Sequence, residues 1–295
     1  MPRPCFALAL AALCALLGCT EPAPSRADDM GRPFALEATP ERVLPLAPNL
    51  TELVAASAGV ERLAAVSPAD DFPSGLDALP RFSSFPLDVE RVVALQPDLV
   101  LASDDVTKQV QVEGLAALGL AVFTFRFDEL ADVPRALRTL DTLLDARGGE
   151  AVARDFEARR AAVADAVRGR TAPRVLLLVG AEGLYAFGRE SYASEFVRVA
   201  GGDNLTDRYD GAASTPSAEA VLEMAPEVIV VLGEDAPRER LLDAQPALAE
   251  TPAARSGRVY GIDPDLVSRP GPRLIDGLER LARLLHPEAF AAGAA

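Results

Sequence analysis

Two stretches of the chain, 129 positions apart, carry the same succession of residue types: Glu90, six residues, Pro97, Asp98 and an apolar run, then Glu219, six residues, Pro226, Glu227 and an apolar run. Proline cannot continue a helix, so each block reads as a short helix that proline ends, followed by a strand. Asp88 and Ser217 stand two residues before the glutamates, at the position of an N-cap, which places each glutamate in a first helical turn. Upstream, Arg42-Val-Leu44 and Arg174-Val-Leu176 each open an apolar segment in the same way. The pattern predicts two related α/β lobes in tandem. Two matched lobes leave a cleft between them, which points to binding before catalysis.

The remaining periodicities fill in this frame. Strands are expected at 42–46 and 62–66, with a helix between them that opens on Asn49-Leu-Thr-Glu52 as a capping box and ends near Gly59. Residues 67–88 form a long loop containing Pro and Phe, a length that is usually functional inside a compact domain. A helix over 107–118 and a strand over 121–125 follow. Leu137, Leu140, Leu143 and Leu144 line one face of a helix over 132–147, which Gly148-Gly149 is expected to break. Residues 150–169 then read as one continuous helix carrying Val152, Phe156, Val163 and Val167; twenty residues make a rod of about 30 Å, long enough to bridge two lobes. Strands at 174–179, 227–232 and 258–262 and a final helix at 273–285 complete the second lobe.

The N-terminus bears on the compartment. Arg3 is the only charge in the first 18 residues, and the apolar stretch after it suits a signal-peptide core but is too short to span a bilayer. It ends in Leu16-Leu-Gly-Cys19, which resembles the lipobox of bacterial lipoproteins, so Cys19 is expected to become the lipidated first residue of the mature chain. Cys5 and Cys14 would leave with the leader, and no disulfide would remain. Residues 20–33 lack apolar periodicity, are rich in Pro, Ala and Asp, and are expected to form a flexible tether. The chain has a net charge of −15, which loss of Arg3 takes to −16. Such an acidic body argues against nucleic acid and against lying flat on anionic lipid.

Several chemistries lack their residues. The single histidine, His286, stands in Leu-Leu-His-Pro and suits a cation at a helix C-terminus; no Gly-x-Ser-x-Gly motif accompanies it. His/Cys metal sites, motif-spaced carboxylate pairs and glycine-rich phosphate loops are missing from the pattern as well, and Gly201-Gly202-Asp203-Asn204 reads as a turn. The chain is therefore expected not to be an enzyme, and no cofactor is expected.

From Arg42 to Pro287 the chain resembles the helical-backbone periplasmic binding proteins of ABC importers for vitamin B12, ferric siderophores and haem. The blocks that carry the resemblance are Arg42-Val-Leu…Pro48-Asn-Leu-Thr-Glu52, Leu87-Asp-Val-Glu90…Ala94-Leu-Gln-Pro-Asp-Leu-Val100, Leu115-Ala-Ala-Leu-Gly-Leu120, Gly188-Arg-Glu-Ser191…Ala200-Gly-Gly-Asp-Asn204, Ser217-Ala-Glu219…Ala225-Pro-Glu227 and Arg269-Pro-Gly-Pro-Arg273. The family pattern implies an α/β fold of two Rossmann-like lobes joined by one long rigid helix. On this chain that gives a signal peptide at 1–18, a tether at 19–33, an N-terminal lobe at 34–149, the linking helix at 150–170 and a C-terminal lobe at 171–295.

The resemblance also implies roles. Glu90 and Glu219 would dock the protein on arginines of the permease. The order of motifs is closest to the vitamin B12-binding type, with Asp265 at the position of a cleft aspartate, while Phe85, Ala213 and Leu266 stand where aromatic residues are expected and the chain has no tryptophan. The expected ligand set is Asn49, Asp71, Phe72, Phe85, Tyr185, Asp265, Leu266 and Arg269, with Phe72, Phe85, Tyr185 and Asp265 facing one another across the gap. The cargo would be a cobalt corrinoid or, as the alternative, a ferric siderophore held by Arg81, Arg126, Arg189, Tyr185 and Arg269. A phenylalanine at 85, where haem binders of the family place a ligating tyrosine, counts against haem. The enzyme on a similar scaffold and the lipoprotein that kept the fold but lost its ligand are the competing classes. The expected molecule is a lipid-anchored monomer on the extracytoplasmic face, with no nucleic-acid partner. Cys19→Ala is expected to move the protein out of the membrane fraction and abolish incorporation of a fatty-acid analogue; retention in the membrane fraction would rule the anchor out.

Overall fold

The computed structural model of the chain describes residues 26–233 and 235–291. The expected leader, Cys19 and residues 20–25 of the expected tether lie outside them. From Arg26 onward the tether expectation is corrected: β1 (Arg26–Ala27) and β2 (Pro33–Phe34) pair antiparallel. Asp28 closes the turn between them, accepting from the Met30 and Arg32 amides at 3.1 and 2.9 Å and from the Arg32 guanidinium. Phe34 is buried edge-on against Phe123, at 5.2 Å between ring centroids. Composition read as a linker because these anchors are single residues without a period.

The first lobe contains β3 (Val43–Pro45), α1 (Pro48–Ala58), α2 (Val89–Ala94), β4 (Leu99–Ser103), α3 (Gln109–Ala117), β5 (Val122–Phe125) and α4 (Asp132–Leu143). Its strands run parallel in the order β3-β4-β5. α5 (Gly148–Val167) leads to the second lobe: β6 (Arg174–Val179), β7 (Ala186–Phe187), α6 (Tyr192–Val199), β8 (Asp203–Asn204), β9 (Ala213–Ser214), α7 (Ala218–Met224), β10 (Val228–Leu232), α8 (Pro237–Ala244), α9 (Pro252–Arg255), β11 (Val259–Ile262), α10 (Leu274–Leu285) and α11 (Pro287–Phe290). There β6, β10 and β11 are parallel in the order β11-β10-β6, and β7 and β9 extend the sheet antiparallel.

The repeated block is the central strand of each parallel unit, together with the helix that feeds it: α2–β4 and α7–β10. Every residue of β4 and β10 is buried, as expected of parallel strands covered on both faces. The acid after each proline has a defined task. Asp98 accepts from the amides of Glu41 and Arg42, both at 2.9 Å, and its own amide donates to the Arg42 carbonyl. Glu227 does the same to Arg174, both bonds again at 2.9 Å. Each acid thus fixes the start of the central strand on the start of its neighbour.

Three local expectations change. α1 begins on Pro48 after Ala47, with no side-chain cap, and Asn49 and Glu52, expected to cap it, are both buried and bonded to the other lobe. Residues 60–62 form a 3-10 turn, leaving only bridges at Leu63 and Val66 where a strand was expected. Gly148 and Gly149 start α5 instead of separating two helices: a Cβ at Gly148 would stand 2.6 Å from the carbonyl oxygens of Ala56 and Ser57. Asp141 of α4 takes the role of cap, accepting from the Gly149 and Glu150 amides at 2.9 and 2.8 Å.

α5 buries Gly149, Ala153, Phe156, Val163 and Val167. One hydrophobic core runs through it, from Val43 and Leu99 of the first lobe to Val175 and Val228 of the second. His286, at the C-cap of α10, is buried, and its Nε2 lies 3.0 Å from the Gly201 carbonyl, so its ring fixes the turn after α6 and not the carbonyls of its own helix.

Candidate functional site

Between the lobes lies a cavity of about 1000 Å³. The first lobe contributes residues just past the carboxyl ends of its strands: Ala47 and Asn49 after β3, Ser103–Val106 after β4, and Arg126–Asp128 after β5. The second lobe contributes Tyr185, Phe187, residues 189–192, Ala212, Ala213 and residues 268–270. Loops leaving the carboxyl edge of a parallel sheet converge, so this is where an α/β fold places a ligand.

Of the four side chains expected to face one another across the gap, Tyr185 alone lines this cavity. Phe72 lies under the Arg273 guanidinium, 4.3 Å from ring centroid to carbon. Phe85 is 87% exposed at the tip of a turn, where the Ser83 hydroxyl donates to the Pro86 carbonyl at 2.7 Å, and it is outside the lining. Asp265 is drawn to Arg269 at 2.9 Å, and Asp71 pairs with the same guanidinium at 2.7 Å; neither belongs to the lining, which Arg269 supplies in their place. Leu266 is outside the lining too; its carbonyl and Cβ lie so close to Gly277 of α10 that no side chain fits there. Asn49 and Arg269 do line the cavity, and the Asn49 amide donates to the Pro270 carbonyl at 3.4 Å.

Four acids of the cavity, Asp104, Asp105, Asp128 and Glu190, stand outside the ligand set expected from the sequence. Their one signal is position, directly after the apolar runs of β4 and β5 or after Gly188. Arg126 is held by Asp128 at 2.7 Å and Asp104 at 3.6 Å, and Asp128 raises its pKa further. Enclosure in the cleft pushes Asp105 up to about 6, and the charges of Asp104 and Asp128 add to the effect against Arg126. Burial likewise raises Asp104, whose Oδ1 is buried without a hydrogen-bond partner. All three arginines of the lining are already paired: Arg126 with Asp128, Arg189 with Asp210, and Arg269 with Asp71 and Asp265. Among the described residues no group of three or more His, Cys, Asp and Glu side chains is placed to hold a metal ion.

Glu90 and Glu219 are exposed, one in the first turn of α2 and one in that of α7. Asp88 caps the first helix, accepting from the Arg91 amide at 2.9 Å, and Ser217 caps the second, accepting from Ala220 at 3.2 Å. Both helices run back into the amino ends of central strands, so both glutamates lie toward the carboxyl edges that carry the cleft.

A family model described as periplasmic binding protein matches residues 45–266. A vitamin B12-binding protein of Pectobacterium atrosepticum is 30% identical over 264 residues, covering 85% of this chain and 90% of the relative. An uncharacterized ABC transporter substrate-binding lipoprotein of Bacillus subtilis, YvrC, is 26% identical over 92% of this chain and 88% of its own length. Among solved structures, a periplasmic haem-binding protein from Pseudomonas aeruginosa superposes with a TM-score of 0.74 at 29% identity, covering 84% of this chain and 93% of that one.

The raised Asp105 has a consequence for stability. A carboxyl whose pKa is higher folded than unfolded favours the folded state only in its protonated form. The penalty is therefore absent below about 3.8, grows as pH rises toward about 6, and is complete above it. Asp105→Asn should raise the melting temperature near neutral pH by roughly 2–4 °C, and this gain should vanish as pH falls toward the unfolded pKa. A gain that is equal at both pH values, or absent near neutrality, contradicts the assignment; thermal denaturation across pH decides it.

Proposed function

The chain belongs to the periplasmic binding protein family, as a substrate-binding protein of an ABC importer in the vitamin B12, haem and siderophore class, and on that premise we propose that its cargo is a corrinoid. The observation that carries this reading is the charge of the cleft. Four carboxylates face three guanidiniums in the lining, and each guanidinium already has a carboxylate partner within the chain. A polyanionic ferric chelate would have to displace those internal pairs and would meet uncompensated carboxylates. A corrinoid presents amide side chains around a flat macrocycle; Asp104, Asp105 and Glu190 accept hydrogen bonds from the amides, and the Tyr185 and Phe187 rings cover apolar surface. The paired state of Arg126, Arg189 and Arg269 speaks against the siderophore alternative for the same reason.

Delivery rests on Glu90 and Glu219. Among the described residues neither has an ion-pair partner. They stand at equivalent positions of two lobes joined by α5, which suits two-point electrostatic registration on a basic permease surface. Cys19 supplies the lipid anchor in this reading, so the protein works at the extracytoplasmic face of a membrane. No helix among the described residues is long and apolar enough to cross one.

Calorimetric titration with cyanocobalamin, haemin and a ferric catecholate tests the cargo. Cyanocobalamin should bind at least about tenfold, or 1.4 kcal/mol, more tightly than the other two; a preference for the catecholate overturns the corrinoid reading. Glu90→Arg and Glu219→Arg test delivery. Each should abolish most uptake while leaving cargo affinity within about twofold, because a repulsive contact replaces an attractive one outside the cleft. Full transport by both variants would reduce the glutamates to first-turn residues that favour their helix by about 0.3–1 kcal/mol.

A further inference from the structure

α5 is not the only crossing between the lobes. Glu52 of α1, with a side chain only 2% exposed, accepts two hydrogen bonds from Arg273 at the start of α10, Nε to Oε2 at 3.0 Å and Nη2 to Oε1 at 2.7 Å. Arg269 extends the connection. It donates to Asp71 at 2.7 Å and to the Ala69 carbonyl at 3.1 Å, and its guanidinium is 3.8 Å from Glu52. Asp265 braces both arginines from their own side, at 2.9 and 3.7 Å. Phe72 stacks on Arg273, and Asn49 bonds to Pro270. Residues 49–72 of the first lobe thus meet residues 265–273 of the second in one lattice, and Asn49, Ala69, Arg269 and Pro270 of that lattice are also cleft wall.

We propose that Glu52 is a positioning residue, whose two-pronged grip on Arg273 sets the width of the ligand cleft as a second strut beside α5. The argument is geometric. A single helical connection fixes the lobes along one seam and leaves a rotation about it. A second, oriented attachment made by residues outside α5 resists that rotation. A buried bidentate pair suits the purpose because its strength depends steeply on relative orientation and breaking one partner leaves a buried charge uncompensated. Isolated surface pairs lack this property. A cleft of fixed width binds its cargo without first closing. Freeing the strut would spread the lobes over many separations, and apparent affinity would fall with the fraction of molecules still at the correct one.

The inference rests on the cleft being the cargo site, but its test separates the two. Spin labels carried on unnatural residues at positions 110 and 239, both exposed and one in each lobe, report the distribution of lobe separations in the unliganded full chain. Glu52→Gln keeps the shape of the side chain and removes its charge. It should broaden that distribution and, with about a tenth of the molecules left competent, weaken cyanocobalamin binding about tenfold. Should Glu52→Gln fail to fold, Arg273→Lys keeps the charge, loses the two-pronged geometry and is expected to broaden the distribution as well. A folded Glu52→Gln, or in its place Arg273→Lys, with the distribution of the wild type overturns the strut. Failure of the wild type to bind cyanocobalamin would refute the cargo assignment and leave the distance measurement to decide the strut independently.

Discussion

The packing of α5 is the constraint on which both lobes depend. The helix buries a narrow stripe, and Phe156 in its middle is almost fully enclosed. Burial of a side chain of that size contributes roughly 1.5–3 kcal/mol, but its larger effect is continuity. The first-lobe core and the second-lobe core meet on this stripe, so neither is complete without the other. Charged residues on the flanks of α5 hold the orientation: Arg159 binds Asp276 and Glu279 of α10 at 2.6 and 2.8 Å, and Arg160 binds Glu195 of α6 at 2.5 Å. Glu195 in turn accepts from the Leu130 amide of the first lobe at 2.7 Å. The glycines at the start of the helix make the arrangement possible, because any side chain at Gly148 would push α5 off α1.

What could be read in the sequence was what short range and period carry. The helix–proline–acid–strand block is local, and it located the central strand of each lobe and the exposed glutamate before it. The 150–169 helix was visible from its apolar recurrence, and the strands β6, β10 and β11 from continuous apolar runs. The cleft was legible as a place and not as a set of residues. Asn49 and Glu52 looked like a helix cap because Asn followed by Glu three residues later satisfies that rule. Their actual partners, Pro270 and Arg273, are 221 positions away, a distance at which no local pattern reports. Asp104, Asp105 and Asp128 belong to no motif or period in the sequence. Nothing but the convergence of the β4 and β5 loops makes them cavity wall. Phe72 and Phe85 fail as cavity lining for opposite reasons: one is occupied by a guanidinium, and the other stands clear of the lobe.

The electrostatics of the two lobes' meeting surface follow a single rule, that basic groups are used up within the protein. The arginines of the cleft and of the interlobe lattice all have carboxylate partners, while Asp104 keeps an unfilled, buried acceptor at Oδ1. A net charge of −15 is therefore not spread as a neutral solubilising coat alone. Part of it lines the cavity as acceptors held at raised pKa by enclosure and by one another. Desolvation and the neighbouring charges of Asp104 and Asp128 favour the protonated form of Asp105, which would donate where the carboxylate accepts.

The N-terminal hairpin has a mechanical meaning. Its two aspartates clip it to the far edge of the first sheet: the Thr124 amide donates to Asp28 at 3.3 Å, and Asp29 accepts from the Arg126 amide at 3.1 Å and from Arg135 at 2.7 Å. That edge of β5 is covered, which removes a template for pairing with another chain. It also brings the described chain close to Cys19 in sequence. Six residues lie between Cys19 and Arg26, and the seven steps of chain they allow can reach no more than about 25 Å. With the lipid proposed on Cys19, the first lobe would stay within a molecular diameter of the bilayer, and the search for a permease would become a search in two dimensions at high local concentration.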